Sequence, residues 1–401
     1  MNISVCESLP PRHKFAEYIT FMENDPSLVA ECRLRVCGAL WGTGNPDISG
    51  MGMVTGYILE TSIMVIIVSI FLAINNMKTS NQKYTRFVLA NVASTFYDTA
   101  LFFTLAVQLA SNIILAKANS GLNTDGMGAI TMKITWVISN LTLLPLLPMA
   151  LGSYLFCERT DAGHELPTLT LPLAPQGRKV SNMVCLGGTS TLLSMCSHQE
   201  RIQQILDAKN RQRFGLFFLC WCCSFYPFLS RMIANYGQSQ IGGDPGSVIT
   251  QDTWNEIIAP CFEDISSITS ITDSAINFLG VISWLFVTVM LVYKVILLGM
   301  ENTHQEQWMW LKRKNLTLET ETMTESRMWM SLCTITIILL ASQIWSFFRL
   351  RKLQRDMTKN IGGDYTDEQW TFGQIVSVIV FVPVFVETFH LIRYKKIYGP
   401  N

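Results

Sequence analysis

The sequence predicts an all-α integral membrane bundle of about seven transmembrane helices, and three observations carry that reading. Apolar runs of spanning length recur along the chain, and about 20 apolar residues cross a hydrocarbon core as a helix that satisfies its own backbone. Of the 401 residues, 49% are hydrophobic and 15% charged, against about 25% charged in soluble domains. Finally, the turn Asn45-Pro46-Asp47, followed by Ser49 and Gly50, leads straight into the first run, which carries a single acid, Glu60. An ionised carboxylate at that depth is costly unless it is paired or faces a cavity.

In chain order the runs predict spans at 53–74, 87–110, 128–156, 214–235, 275–298, 328–348 and 372–392. They divide the chain into a luminal segment 1–50, spans one to three within 51–157, a cytosolic loop 158–212, and spans four to seven with a short cytosolic tail within 213–401. Residues 1–50 are polar and lack an apolar signal core, so no cleavable leader is expected. They hold Cys6, Cys32 and Cys37; if the segment is luminal, a bridge from one of these to Cys261 is chemically allowed. Cys220, Cys222 and Cys223 lie in an apolar run and read as small packing residues. Pro145 and Pro148 in span three and Pro383 in span seven predict kinks. No segment repeats another convincingly, which argues against an inverted-repeat build. The loop 158–212 opens on an extended, proline-rich stretch and ends, from His198 to Arg213, in a charged helix expected to lie along the cytosolic surface; a solvated linker is the plain reading.

Lys plus Arg total 30, as do Asp plus Glu, so the basic excess of a nucleic-acid binder is missing. Orientation follows the basic residues of the loops. Lys78, Lys83 and Arg86 follow span one, Arg201 to Arg213 precede span four, Lys312 to Lys314 lie between spans five and six, and Arg393, Lys395 and Lys396 close the chain. Residues 238–265 hold five acids and no Lys or Arg. The amino terminus is therefore expected to be luminal and the carboxyl terminus cytosolic, with the endoplasmic reticulum as the default membrane. Arg349, Arg351, Lys352 and Arg355 fall on the wrong side. Either span six continues as a helix beyond the bilayer, or the count is off by one.

Helical phase, about 100° per residue, groups the polar residues inside the spans. Asn91, Ser94 and Asp98, with Tyr97 beside them, share a face of span two. Asp273, Asn277, Gly280 and Trp284 share one face of span five, continued upstream by Ser266 and Thr269. Gly56, Tyr57 and Glu60 share a face of span one, Glu60 about 10 Å below the luminal surface. Lys133, Trp136 and Asn140 lie on one side of span three, and Gln374 and Ser377 sit near the luminal end of span seven. The phases predict that Glu60, Asp98 and Asp273 cluster in the luminal half as candidate catalytic acids. Tyr57, Asn91, Tyr97, Trp136, Asn140, Asn277 and Trp284 are the candidate substrate-binding residues. Plainer readings stand beside these: Lys133 neutralises Asp98 or Glu60, Asp273 caps a helix at the interface, and Glu387 with Arg393 forms a snorkelling surface pair.

A carboxylic acid enclosed in an apolar cavity keeps its proton at neutral pH, and aromatic faces stabilise a cation that forms beside them. Such a pocket suits acid-initiated cyclisation of a prenyl chain. No aspartate-rich run offers a magnesium site and the five His are dispersed, so no metal and no cofactor are expected.

The Asn45–Gly50 motif, NPDISG, directly before the first of seven spans, resembles a group of fungal integral membrane proteins of secondary-metabolite pathways. Among these are membrane-bound terpene cyclases of meroterpenoid biosynthesis, of the kind that make ascochlorin- and ascofuranone-like compounds. The resemblance implies a lipophilic substrate, a farnesylated aromatic or its terminal epoxide, and a non-redox cyclisation; it supplies no catalytic residue. Two other classes compete. Buried acids also mark proton-coupled transporters, and seven helices fit a receptor or scaffold, although no DRY-like triplet follows span three and no NPxxY closes span seven.

Overall fold

The computed structural model describes residues 6, 31–76, 82–119, 128–152, 190–236, 259–262, 270–303, 318–368 and 371–398. Among them are seven helices long and apolar enough to cross a membrane: Pro46–Ile74 (span one), Val88–Ala116 (two), Ala129–Leu151 (three), Ala208–Ile233 (four), Ile271–Ile296 (five), Met328–Asn360 (six) and Phe372–Arg393 (seven). The described residues contain no strand. The protein is an all-α, multi-pass membrane bundle.

Polar bonds between spans fix their directions. Trp221 Nε1 donates to Thr288 and Trp284 Nε1 to Ser224, so spans four and five run antiparallel. Lys133 meets Asp273 and Asn140 meets the Gly280 carbonyl, so spans three and five run parallel. The bundle therefore alternates, with Pro46, Ala129, Ile233, Ile271 and Phe372 at one end, called here the amino-terminal end. In span three 94% of the apolar window is buried, against 17% in span seven. Span three is the axis of the bundle, and span seven is its outward-facing edge.

Pro145 and Pro383 act as the sequence predicts, whereas Pro148 lies inside the short helix Leu146–Leu151 without a break of its own. Span three breaks between Leu143 and Leu146, at Pro145, and span seven breaks between Ile379 and Val382, beside Pro383; a proline ring cannot continue the hydrogen-bond ladder. Span six belongs to one helix, Leu318–Asn360, so Arg349 to Arg355 ride on its helical continuation. The expected surface helix at His198–Arg213 needs correction. It is the first part of a single helix, Ser190–Tyr236, that runs unbroken into span four; the loop residues 158–189 lie outside the described ones.

The NPDISG turn is the joint of the amino-terminal end. Asn45 caps the short helix Pro46–Ser49, its side chain accepting from the Asp47 amide at 3.1 Å, with Pro46 in the first turn where no amide donor is missed. Gln374 of span seven donates to the Pro46 carbonyl and accepts from the Gly52 amide, both at 2.9 Å. Thr371 donates to Asp47, and Arg351 of span six donates to the Ser49 carbonyl at 2.9 Å. Tyr57, one turn into span one, donates to the Ile48 carbonyl at 3.0 Å. Gly52 is needed because a Cβ there would collide with the side chain and backbone of Gln374.

Two disulfides lie at the same end. Cys37 pairs with Cys261, tying the helix Arg33–Trp41 to the segment Ala259–Phe262 before span five, and Cys6 pairs with Cys32. Trp41 packs edge-on against Phe262 beside the first bridge. Between spans six and seven, Asp367 is buried, accepting from the Tyr365 hydroxyl at 2.8 Å and facing Arg351 at 3.8 Å. Burial holds its carboxyl above the ordinary aspartate range, with Ser49, Tyr365 and Arg351 pulling the other way.

Two outcomes follow for the purified protein in detergent. Gly52→Val is expected to lower the melting temperature by several degrees, whereas Gly215→Ala, whose Cβ meets nothing within 4 Å, leaves it unchanged. Because the folded state holds the Asp367 proton more tightly than the unfolded chain, stability from this group falls as pH rises from the ordinary aspartate value, about 3.9, through the raised folded value, and is flat above it. Melting curves across acidic pH should show that slope, and Asp367→Asn should remove it.

Candidate functional site

The three candidate acids do not converge, which corrects the expected luminal cluster. Asp98 receives the guanidinium of Arg213 in a fork, Nε to Oδ1 at 2.5 Å and Nη2 to Oδ2 at 2.7 Å, with Lys209 at 3.2 Å from Oδ2. Arg213 also donates to Ser94 and lies 6.0 Å from the centre of the Tyr97 ring. The predicted stripe of span two is thus a docking face for span four, with half-buried Asn91 further along it. Arg213 lies in the first part of span four, while Ser230, which meets Trp136, lies in its last turn. Asp98 therefore lies roughly 25 Å along the axis from the Trp136 level, at 1.5 Å per residue.

Asp273 lies at the amino-terminal end, where Lys133 Nζ reaches its Oδ1 at 2.5 Å and Asn277 donates to Oδ2 at 3.4 Å. Lys133 thus neutralises Asp273, not Asp98 or Glu60 as the sequence suggested. The predicted faces of spans three and five hold: Lys133, Trp136 and Asn140 on one, Asp273, Asn277, Gly280 and Trp284 on the other. Ser266 and Thr269 lie outside the described residues. Glu387 and Arg393 make no ion pair with each other.

Below that bridge is a residue the sequence reading passed over. Arg231 is fully buried in span four, its guanidinium 5.8 Å from the Trp136 ring and packed into the space that a side chain at Gly280 would fill. Trp136 Nε1 donates to Ser230 and Trp284 Nε1 to Ser224. Phe228 stacks on Trp284 at 3.9 Å. A small cavity of about 10 Å³ between Trp136, Asn140, Ser224, Phe228, Arg231 and Trp284 is the size of one water. Trp136, Asn140 and Trp284 therefore do come together, but around a cation and not around an acid. An arginine one turn after Pro227, inside an apolar run, was the signal available in the sequence.

Glu60 occupies the middle of the bundle alone. It is fully buried, and no cation approaches it among the described residues. Its Oε1 lies 3.2 Å from Thr104 Oγ1, which in turn lies 3.0 Å from the Thr142 carbonyl, and Oε2 has no hydrogen-bond partner. Thr104 has one proton and a carbonyl can only accept. Both contacts are satisfied when Thr104 donates to Thr142 and a neutral Glu60 donates to Thr104. An ionised Glu60 would instead be an uncompensated buried charge. An aromatic cluster gathers around Tyr57, one turn along span one from Glu60: Tyr57 lies 5.8 Å from Phe103 and 6.0 Å from Phe347, and Phe381 of span seven lies 5.4 Å from Phe103.

Span three links these places. From Lys133 to Thr142 its polar groups bind in turn to Asp273, Ser230, Gly280, Gln108 and Thr104. Among the described residues no group of three His, Cys, Asp or Glu stands close enough to hold a metal ion. No family model, curated protein or solved structure matches the chain.

Removing either paired acid leaves a cation uncompensated, which costs about 3–5 kcal/mol for a fully buried pair and less for partly exposed ones such as these. Asp98→Asn and Asp273→Asn are each expected to lower the melting temperature in detergent. Replacing Asp98 and Arg213 together by Leu should recover part of the Asp98→Asn loss, as read by a double-mutant cycle on the same thermal assay.

Proposed function

We propose that this chain is a membrane-embedded cyclase that protonates a prenylated aromatic substrate, of farnesyl type, or its terminal epoxide, with Glu60 as the acid. The observation that carries the reading is the hydrogen-bond pattern at Glu60, which favours a neutral carboxyl group deep among aromatic rings. Asp98 and Asp273, each held by lysine or arginine, serve as helix-to-helix anchors. Trp136 and Trp284 border Arg231, whose charge opposes a carbocation, so Tyr57, Phe103, Phe347 and Phe381 are the better walls for one.

In this reading the Glu60 O–H adds its proton to the terminal olefin carbon or the epoxide oxygen and becomes a carboxylate. The π electrons of the chain close the ring, and the final cation loses a proton that restores the acid. Mass is unchanged and no redox partner takes part. Packing at Glu60 is closed, so substrate enters from the lipid by displacement of span seven, whose break beside Pro383 lies next to Phe381. The disulfides support an amino-terminal end that faces a lumen, and with it the endoplasmic reticulum as the resident membrane.

A second reading, proton-coupled transport, is favoured by one specific feature: the polar ladder along span three from the Lys133–Asp273 bridge to Glu60. One set of experiments separates the two. Expression in a fungal host fed with farnesyl-aromatic olefins and epoxides should give a product of unchanged mass with fewer double bonds or an opened epoxide. Glu60→Gln should abolish it while the protein remains monodisperse in detergent. Full activity of Glu60→Gln would sink the acid assignment. No conversion by wild-type protein, together with Glu60-dependent proton flux in reconstituted vesicles, would establish transport instead.

A further inference from the structure

Three of the four basic residues that break the charge rule line a cleft of about 300 Å³ between the first part of span one and the last part of span six. Met51, Phe348 and Tyr365 supply its apolar lining, and its charge comes from Arg351, Lys352 and Arg355 against the single acid Glu368. From this we infer that the cleft binds the anionic headgroup of an amphiphile, a phosphate or carboxylate, with its chain lying along Phe348 toward the lipid.

Three observations support that ligand class. The first is charge that the protein does not use. Arg351 is committed to the Ser49 carbonyl and to Asp367, Arg355 pairs among the described residues with its own neighbour Asp356 at 3.6 Å, and Glu368 is turned to Lys359 at 3.5 Å. Lys352, exposed at the rim, makes no ion pair among the described residues. An anion entering the cleft meets Lys352 and the outward face of two arginines.

The second is depth. Arg351 bonds Ser49, two residues before Met51 opens the long helix of span one, which puts the cations level with the head of that helix. The third is polarity along span six. Phe348 is one turn from Lys352 on the membrane side, and both it and Met51 are exposed, so cations stand above an apolar wall as an amphiphile requires. Cations near a membrane surface attract anionic lipids, and a guanidinium fork suits phosphate or carboxylate oxygens. The inference is independent of Glu60 and of the reaction proposed for it.

Full-length protein in neutral detergent tests this by native mass spectrometry with phosphatidic acid against phosphatidylcholine of the same chains. Phosphatidic acid adducts should survive where phosphatidylcholine adducts dissociate. Lys352→Glu, alone and with Arg355→Glu, should weaken retention by roughly tenfold. Lys352 is exposed and makes no ion pair among the described residues, so its variant is expected to keep the wild-type melting temperature, which the same preparation checks. Inorganic phosphate provides the second arm: competition at millimolar concentration would support the anion site and assign it to a soluble phosphate, whereas phosphatidic acid binding without such competition assigns it to a lipid. Equal retention of the two lipids, or retention of phosphatidic acid unchanged in a folded Lys352→Glu Arg355→Glu protein, would overturn the proposal.

Discussion

The bundle depends on one joint, the clasp of the NPDISG turn by Gln374 and Arg351. A helix crossing lipid leaves its terminal amides and carbonyls with nothing to bond unless the protein supplies partners. At the head of span one these partners come from three directions. Gln374 bonds Pro46 and Gly52, Arg351 bonds Ser49, and Tyr57 reaches back to Ile48. Spans one, six and seven therefore meet at a point where side chain and backbone saturate each other, and Gly52 permits the approach by having no side chain. The motif that gave the strongest local signal in the sequence thus has an architectural role.

Charge is distributed over the bundle on the same logic. Each end of the helix set has an ion pair that joins non-neighbouring segments: Lys133 with Asp273 at one, Arg213 with Asp98 at the other. Between them span three carries polar groups that bond outward to spans two, four and five. Polar groups in hydrocarbon have no water to fall back on, so each pairing also selects a register between helices. Glu60 differs because it makes no ion pair among the described residues, and its carboxyl meets only the Thr104 hydroxyl where the paired acids meet cations.

Much of this was legible from apolar length and helical phase. All seven spans, the breaks at Pro145 and Pro383, and the shared faces of Lys133, Trp136 and Asn140 and of Asp273 through Trp284 follow from a period of 3.6. Phase says which residues share a face, and it does not say which helix that face meets. That is why Asp98 was grouped with Glu60 although span four brings it Arg213, and why Lys133 had several candidate partners. The continuation of span six was open for a related reason, since basic residues mark a boundary for the bilayer and not for a helix. Arg231 could have been read from its position in an apolar run, but its place over Trp136 depends on Gly280, a contact between distant segments.

The separation of Arg231 from Glu60 has a consequence for any chemistry in this bundle. A fixed guanidinium favours anions around it and raises the free energy of a cation forming nearby, while aromatic faces lower it. Trp136, Trp284 and Phe228 are already occupied with the arginine and with each other, in a cavity with room for a single water. The rings near Glu60 are differently placed, because Phe381 is supplied by the outermost span at its break, and that span is held at its head by Gln374 and Ser377 against Gly52. Opening at Phe381 would therefore expose the acid to lipid without disturbing the Arg231 cluster or either ion pair. In the proposed cyclase, a bundle anchored in this way would admit an apolar molecule to Glu60 while the remaining helices keep their register.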